Sequence, residues 1–115
     1  MFIDVKPGSF PNPVNLRAPG VLPVAILGSA TFDATQVNPA TVVLSGARVR
    51  MIGKNKFSCS VEDVNGDHFF DLLCHVETRQ LNVPPDRNDA VVELTARTFA
   101  NVPIYGEDTI HIVGR

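Results

Sequence analysis

Phe57-Ser58-Cys59-Ser60-Val61-Glu62-Asp63-Val64-Asn65-Gly66-Asp67-His68-Phe69-Phe70-Asp71-Leu72-Leu73-Cys74-His75-Val76-Glu77 is the stretch that decides the fold. Its two ends alternate as half-buried strands do. Phe57, Cys59 and Val61 alternate with Ser58, Ser60 and Glu62, and Leu72, Cys74 and Val76 alternate with Leu73, His75 and Glu77. A period of two places each apolar set on one face of a sheet. A polar loop lies between them, so the stretch reads as an antiparallel hairpin. Pairing Val61 with Leu72 aligns the apolar sets. It also sets Cys59 opposite Cys74 and Phe57 opposite Val76. The two cysteines then lie close enough for a disulfide, and two reduced core thiols remain the alternative. A disulfide would close the base of the loop, restrict the unfolded chain and imply an oxidising compartment.

The loop at residues 63–71 carries the chemistry. Oxygen ligands at loop positions one, three and five converge on a point when the backbone curls around it, and here these are Asp63, Asn65 and Asp67. Position seven, Phe69, supplies a backbone carbonyl, and position nine, Asp71, ligates directly or through water. Calcium is a hard cation that takes about six to eight oxygens, so carboxylates with an amide oxygen suit it better than a soft transition metal. An EF-hand is excluded. It needs an entering helix and a bidentate Glu at position twelve, where this chain has Cys74. The loop is instead similar to the strand-loop-strand calcium loops of integrin-type FG-GAP repeats, which end on Asp at position nine, and it resembles a dockerin loop in its first half. Position six is the departure: a residue with positive φ is needed, and His68 stands where Gly is usual. The alternative reading is an acidic hairpin turn without a metal. Two isolated cysteines and three scattered histidines lack zinc-site spacing.

Outward from the hairpin, the rest of the chain reads the same way. Further strands are expected at residues 2–6, 21–27, 41–44, 47–52 and 90–98, and at 109–113, beside 57–62 and 72–77. Turn signals punctuate them at Pro7-Gly8, Pro19-Gly20, Ser45-Gly46, Gly53-Lys54-Asn55, Pro84-Pro85 and Gly106-Glu107. Nine prolines and eight glycines suit such a turn-rich chain. Helical periodicity is almost absent, apart from one or two turns expected within residues 33–41. Asp33 and Thr35 are candidate caps there, and Asn38-Pro39 a candidate start. Residues 7–19 read as an ordered crossing loop and 82–89 as a polar surface loop. At 115 residues the chain is expected to be a single module, 1–115: an antiparallel β-sandwich of about seven or eight short strands.

Composition narrows the function classes. A hydrophobic content of 44% excludes a disordered chain, and a net charge of -2 gives no pull toward nucleic acid or anionic lipid. No apolar run approaches the ~20 residues of a membrane span. Met1-Phe2-Ile3-Asp4-Val5 reads as a strand rather than a secretory leader. That fits a cytosolic protein or a module of a longer secreted chain, and the second is expected. The basic stretch Arg48-Val49-Arg50, with Lys54 and Lys56, is expected to balance the acidic loop rather than to hold a polyanion. The absence of Trp and the single tyrosine, Tyr105, leave little for a sugar-stacking platform. No Gly-x-Ser-x-Gly elbow accompanies His68, His75 or His111, and the loop acids would be occupied by metal, so no enzyme active site is expected.

Several segments together resemble a known type of module. They are Ile3-Asp4-Val5-Lys6-Pro7-Gly8-Ser9 with Pro11-Asn12 and Asn15; residues 20–28; Phe32-Asp33-Ala34-Thr35 with residues 37–42; Glu62-Asp63-Val64-Asn65-Gly66-Asp67; and residues 108–113. In this order they are similar to an accessory module found near the ends of many secreted or surface-associated bacterial proteins. The resemblance covers nearly the whole chain. It implies a secreted origin, a β-sandwich-like accessory module and no established catalytic activity. The expected function is a calcium-binding structural or adhesion module whose ion rigidifies the hairpin loop. The alternative is a calcium-dependent carbohydrate- or surface-binding module with a glycan or extracellular polymer as partner, and a small hydrolase is a third.

Overall fold

The computed structural model describes residues 1–10, 12–84 and 88–113. Within them the chain forms two β-sheets and a small ribbon. The first sheet contains β1 (Phe2–Val5), β3 (Val21–Leu27), β8 (Cys59–Glu62) and β9 (Asp71–Glu77), in the antiparallel order β1-β3-β9-β8. The second contains β2 (Pro13–Asn15), β4 (Val43–Leu44), β5 (Ala47–Arg48), β10 (Asp89–Arg97) and β11 (Pro103–Val113), in the order β2-β11-β10-β4-β5. β6 (Met51–Gly53) and β7 (Lys56–Phe57) make the ribbon. The architecture is the expected all-β sandwich.

The core follows from alternation. Along β10, Ala90, Val92, Leu94 and Ala96 are buried while Asp89, Val91, Glu93, Thr95 and Arg97 are exposed. β9 buries Leu72, Cys74 and Val76 against β3, which buries Leu22, Val24, Ala25 and Ile26. Two inner faces of this kind have one another as the only way to leave water. Ile26, Leu44, Leu94 and Ile110 are fully buried, and each contributes roughly 1.5–3 kcal/mol by that burial.

Where the structure departs from the sequence reading, the two-layer geometry explains it. The run at 47–52 does not form one strand. β5 pairs with β4 in the second sheet; Val49 then bridges Val76 of the first sheet, and β6 leaves to pair with β7. The chain turns the corner of the sandwich here. The same corner breaks the run at 57–62: Phe57 pairs with Met51, not with Val76. Residues 13–15, expected within a crossing loop, form β2 and pair with β11 in parallel, so the sandwich is not wholly antiparallel. The last strand begins at Pro103 and not at 109, which lets it pair along the full length of β10. Splitting and addition give eleven strands among the described residues.

The expected helical turns are single 3₁₀ turns at Ala34–Gln36 and Pro39–Thr41. Asp33 caps the first through the Thr35 N–H, and Asn38 caps the second through the Ala40 N–H with Pro39 following it. Of the segments read from sequence, Pro11 and residues 85–87, which include half of the Pro84-Pro85 turn, lie outside the described residues.

Candidate metal centre

The hairpin β8–β9 has the expected register at its loop end. Val61 faces Leu72, and Cys59 faces Cys74. Cys59 and Cys74 are joined in a disulfide between Cα atoms 4.1 Å apart. The inward prediction holds fully for β9 and only partly for β8. Cys59 is half-buried and Val61 is 49% exposed, because β8 is the outer strand of its sheet. A residue on the core-facing side of an edge strand is buried only where the opposing sheet reaches that far.

Between these strands the backbone of residues 63–71 curls around the side chain of Asp63. Asp63 Oδ1 accepts from the Gly66 N–H at 2.9 Å, and Oδ2 from the His68 N–H at 3.0 Å. Asn65 Oδ1 accepts from the Asp67 N–H at 3.4 Å, and Asp67 Oδ1 from the Phe69 N–H at 3.0 Å. A chain this tightly wound needs left-handed residues, and Gly66 and His68 have φ of 73° and 71°. His68 therefore occupies the conformation for which glycine is suited, at the position where the sequence departs from the usual pattern. Desolvation by the loop around it pushes the Asp63 carboxyl up, but the surrounding N–H groups, led by those of His68 and Gly66, outweigh it. They hold its pKa below the ordinary carboxylate value.

Asp71 closes the loop from below and has no exposed surface. Its Oδ1 accepts from the Gly28 N–H at 2.8 Å and its Oδ2 from the Val64 N–H at 2.9 Å. One carboxylate thus ties the end of β3, the start of the loop and the start of β9 together. Gly28 is required for that approach: a Cβ there would overlap the Phe70 carbonyl oxygen, which no small shift of a side chain relieves. Sequence reading misses Gly28, because nothing local in residues 27–29 shows that a loop more than thirty residues onward packs on it.

Ligand atoms of Asp63, Asp67 and Asp71 all lie within 4.8 Å of one another. Asp63 and Asp67 are exposed and Asp71 is buried, so the cluster has a solvent side and a protein side. These three carboxylates could hold a metal ion. The two other residues read from sequence flank them. Asn65 and Asp67 line a depression of about 270 Å³ beside Phe2, Gly28 and Phe32. Phe69 lies between Asp67 and Asp71 with its side chain 41% exposed. Within the basic stretch, Arg50 is paired with Glu77 rather than with the loop acids, its Nε 2.6 Å from Oε1 and its guanidinium nitrogen 2.9 Å from Oε2. Of the histidines, His111 Nδ1 lies 3.0 Å from Asp89 Oδ1, and His75 Nδ1 lies 3.3 Å from Ser58 Oγ. Comparison of the chain with protein-family models, curated proteins and solved structures yields no match.

Proposed function

We propose that the 63–71 loop binds one calcium ion and that the chain is a calcium-stabilised structural or adhesion module of an extracellular bacterial protein. The observation that carries this reading is the convergence of Asp63, Asp67 and Asp71 within 4.8 Å. Three carboxylates at that separation repel one another, and a divalent cation is the group that turns repulsion into attraction. The donor set is wholly oxygen: these carboxylates, the Asn65 amide oxygen and the Phe69 carbonyl. That is the chemistry of calcium rather than of zinc or copper. The loop is already wound by hydrogen bonds to Asp63, Asn65 and Asp67, so little ordering remains when the ion enters. The ion would stabilise the fold by mass action, about 2.7 kcal/mol at a free concentration one hundred times Kd. The Cys59–Cys74 disulfide supports an extracellular setting, where such bonds persist.

Thermal melts in calcium and in EGTA test the proposal. A rise in midpoint with calcium is expected, and it should vanish in Asp67→Ala. An unchanged midpoint in the native sequence would overturn it. A second reading, a calcium-dependent carbohydrate- or surface-binding module, is favoured by the depression that Asn65 and Asp67 share with Phe2 and Phe32. A glycan array read with calcium and then with EGTA separates the two, since only this second reading expects a retained ligand that EGTA releases.

A further inference from the structure

Sharing Phe2 and Leu27 with the depression beside the metal loop is a second concave region, a cleft of about 730 Å³ also lined by Asp4, Phe10, Asn12 and Asp108 among others. Its polar lining is made largely of acceptors. Asp108 Oδ2 accepts from the Val5 N–H at 2.9 Å and from Asn12 Nδ2 at 3.2 Å, and Asp108 Oδ1 accepts from the Thr109 N–H. These bonds orient Asp108 and join β1 to β11 across the edge of the sandwich. Asp4 is half-buried beside it, with no hydrogen bond or ion pair among the described residues. Burial and the negative charge of Asp108 both push the Asp4 carboxyl above its ordinary value. Among the described residues neither acid forms a salt bridge: Lys6 Nζ donates to the Pro13 carbonyl at 2.8 Å, and His111 Nδ1 lies 3.0 Å from Asp89 Oδ1.

Asn12 supplies the independent observation. It is 5% exposed, with its Nδ2 donating to Asp108 and to the Thr109 carbonyl, and its Oδ1 is a buried acceptor with no partner among the described residues. Turning the amide over would set Oδ1 against two other acceptors, so the orphan is real rather than a misassigned oxygen. Buried acceptors without donors are uncommon and point to a donor that the fold itself does not contain. The apolar part of the lining is open to solvent: Phe2 and Phe10 are 79% and 94% exposed and stand on the same cleft.

We propose that this cleft binds an organic cation, an alkylammonium or guanidinium group carried on a polypeptide side chain or a polyamine. Carboxylates and an amide oxygen accept from its N–H groups, and the faces of Phe2 and Phe10 attract the charge and cover the alkyl stem. A hydrated metal ion gains nothing from two phenylalanines. It would find one carboxylate already engaged in three hydrogen bonds, so the aromatic walls select the organic cation.

The test is a titration of the intact chain in EGTA, followed by NMR at the Val5 backbone amide and the Asn12 side-chain amide. The probes are n-butylammonium, Nα-acetyl-lysine amide and spermidine, with n-butanol and calcium chloride at matched ionic strength as controls. Saturable shifts with the ammonium probes, absent with butanol, are expected. The tighter of acetyl-lysine amide and spermidine identifies the source of the group. Asp4→Asn, which relieves a repulsion and should fold, should weaken binding about tenfold, the equivalent of 1.4 kcal/mol. Asp67→Ala should leave it unchanged, which keeps the result separate from the calcium reading. Equal binding of butanol, the same shifts with calcium chloride, or unchanged affinity in Asp4→Asn would each overturn the assignment.

Discussion

Replacing Asp71 by alanine should destabilise the fold even when no metal is present. The Asp71 carboxylate is fully buried and accepts from two backbone N–H groups, Gly28 at 2.8 Å and Val64 at 2.9 Å. Alanine removes both acceptors and leaves both donors behind. The Gly28 donor is buried beneath the loop and has no route to water, so its full desolvation cost of about 1–3 kcal/mol applies. Val64 is partly accessible and should recover some of its loss through water. The sum is about 2–4 kcal/mol, which for a chain of this size lowers the melting midpoint by roughly 10 °C. Urea unfolding in EGTA measures it directly. Asp67→Ala is the control: its side chain is exposed and accepts one loop N–H, so its cost in EGTA should stay below about 1 kcal/mol. A loss of under about 0.5 kcal/mol for Asp71→Ala would refute the reasoning. It would mean that Asp71 lacks the tethering role described above.

Three further outcomes follow from other parts of the hairpin. The closed loop between Cys59 and Cys74 spans 15 residues, so Cys59→Ala with Cys74→Ala should cost about 3 kcal/mol; the unreduced native chain should show no free thiol by alkylation and mass spectrometry. His68→Gly should stabilise the protein by up to about 1 kcal/mol, since His68 sits at a φ of 71° where an L side chain is strained; a loss of stability would show that the imidazole makes a contact worth more than that strain. Because the Asp63 pKa is lowered on folding, its contribution is fully present above the ordinary value of 3.8 and is lost as pH falls through the lower folded value. Asp63→Asn should therefore flatten the acid limb of the stability curve below about pH 4 and leave its slope between pH 5 and 7 unchanged.

The hairpin shows what local sequence can determine. Alternation along residues 57–62 and 72–77, with a polar loop between, was enough to place Val61 opposite Leu72 and Cys59 opposite Cys74. A period of two leaves one register in which the apolar sets coincide. The acidic cluster was legible for a related reason: Asp63, Asp67 and Asp71 are spaced along one loop, and the curl of its backbone brings them within 4.8 Å of one another. The loop's sixth position is legible in the same way as one needing a left-handed residue, and His68 there has a φ of 71°. The 3₁₀ turns were legible through Asp33 and Asn38, whose caps act within two residues.

Tertiary structure decided everything that depends on a neighbour distant in the chain. Phe57 follows the alternation of its strand, yet pairs with Met51 because the chain turns the sandwich corner at Val49 and Arg50. Val61 belongs to the apolar set, yet remains half exposed because its strand is at a sheet edge. Asp71 stands in the sequence as a candidate ligand, while its tether to Gly28 spans 43 positions and is set by packing. The Asp4, Asn12 and Asp108 cleft exists only because the first and last strands meet. Periodicity and turn chemistry act over a few residues and are therefore legible in order along the chain. Burial, edge position and the meeting of remote carboxylates are properties of the packed layers, and they take form only when the two sheets close.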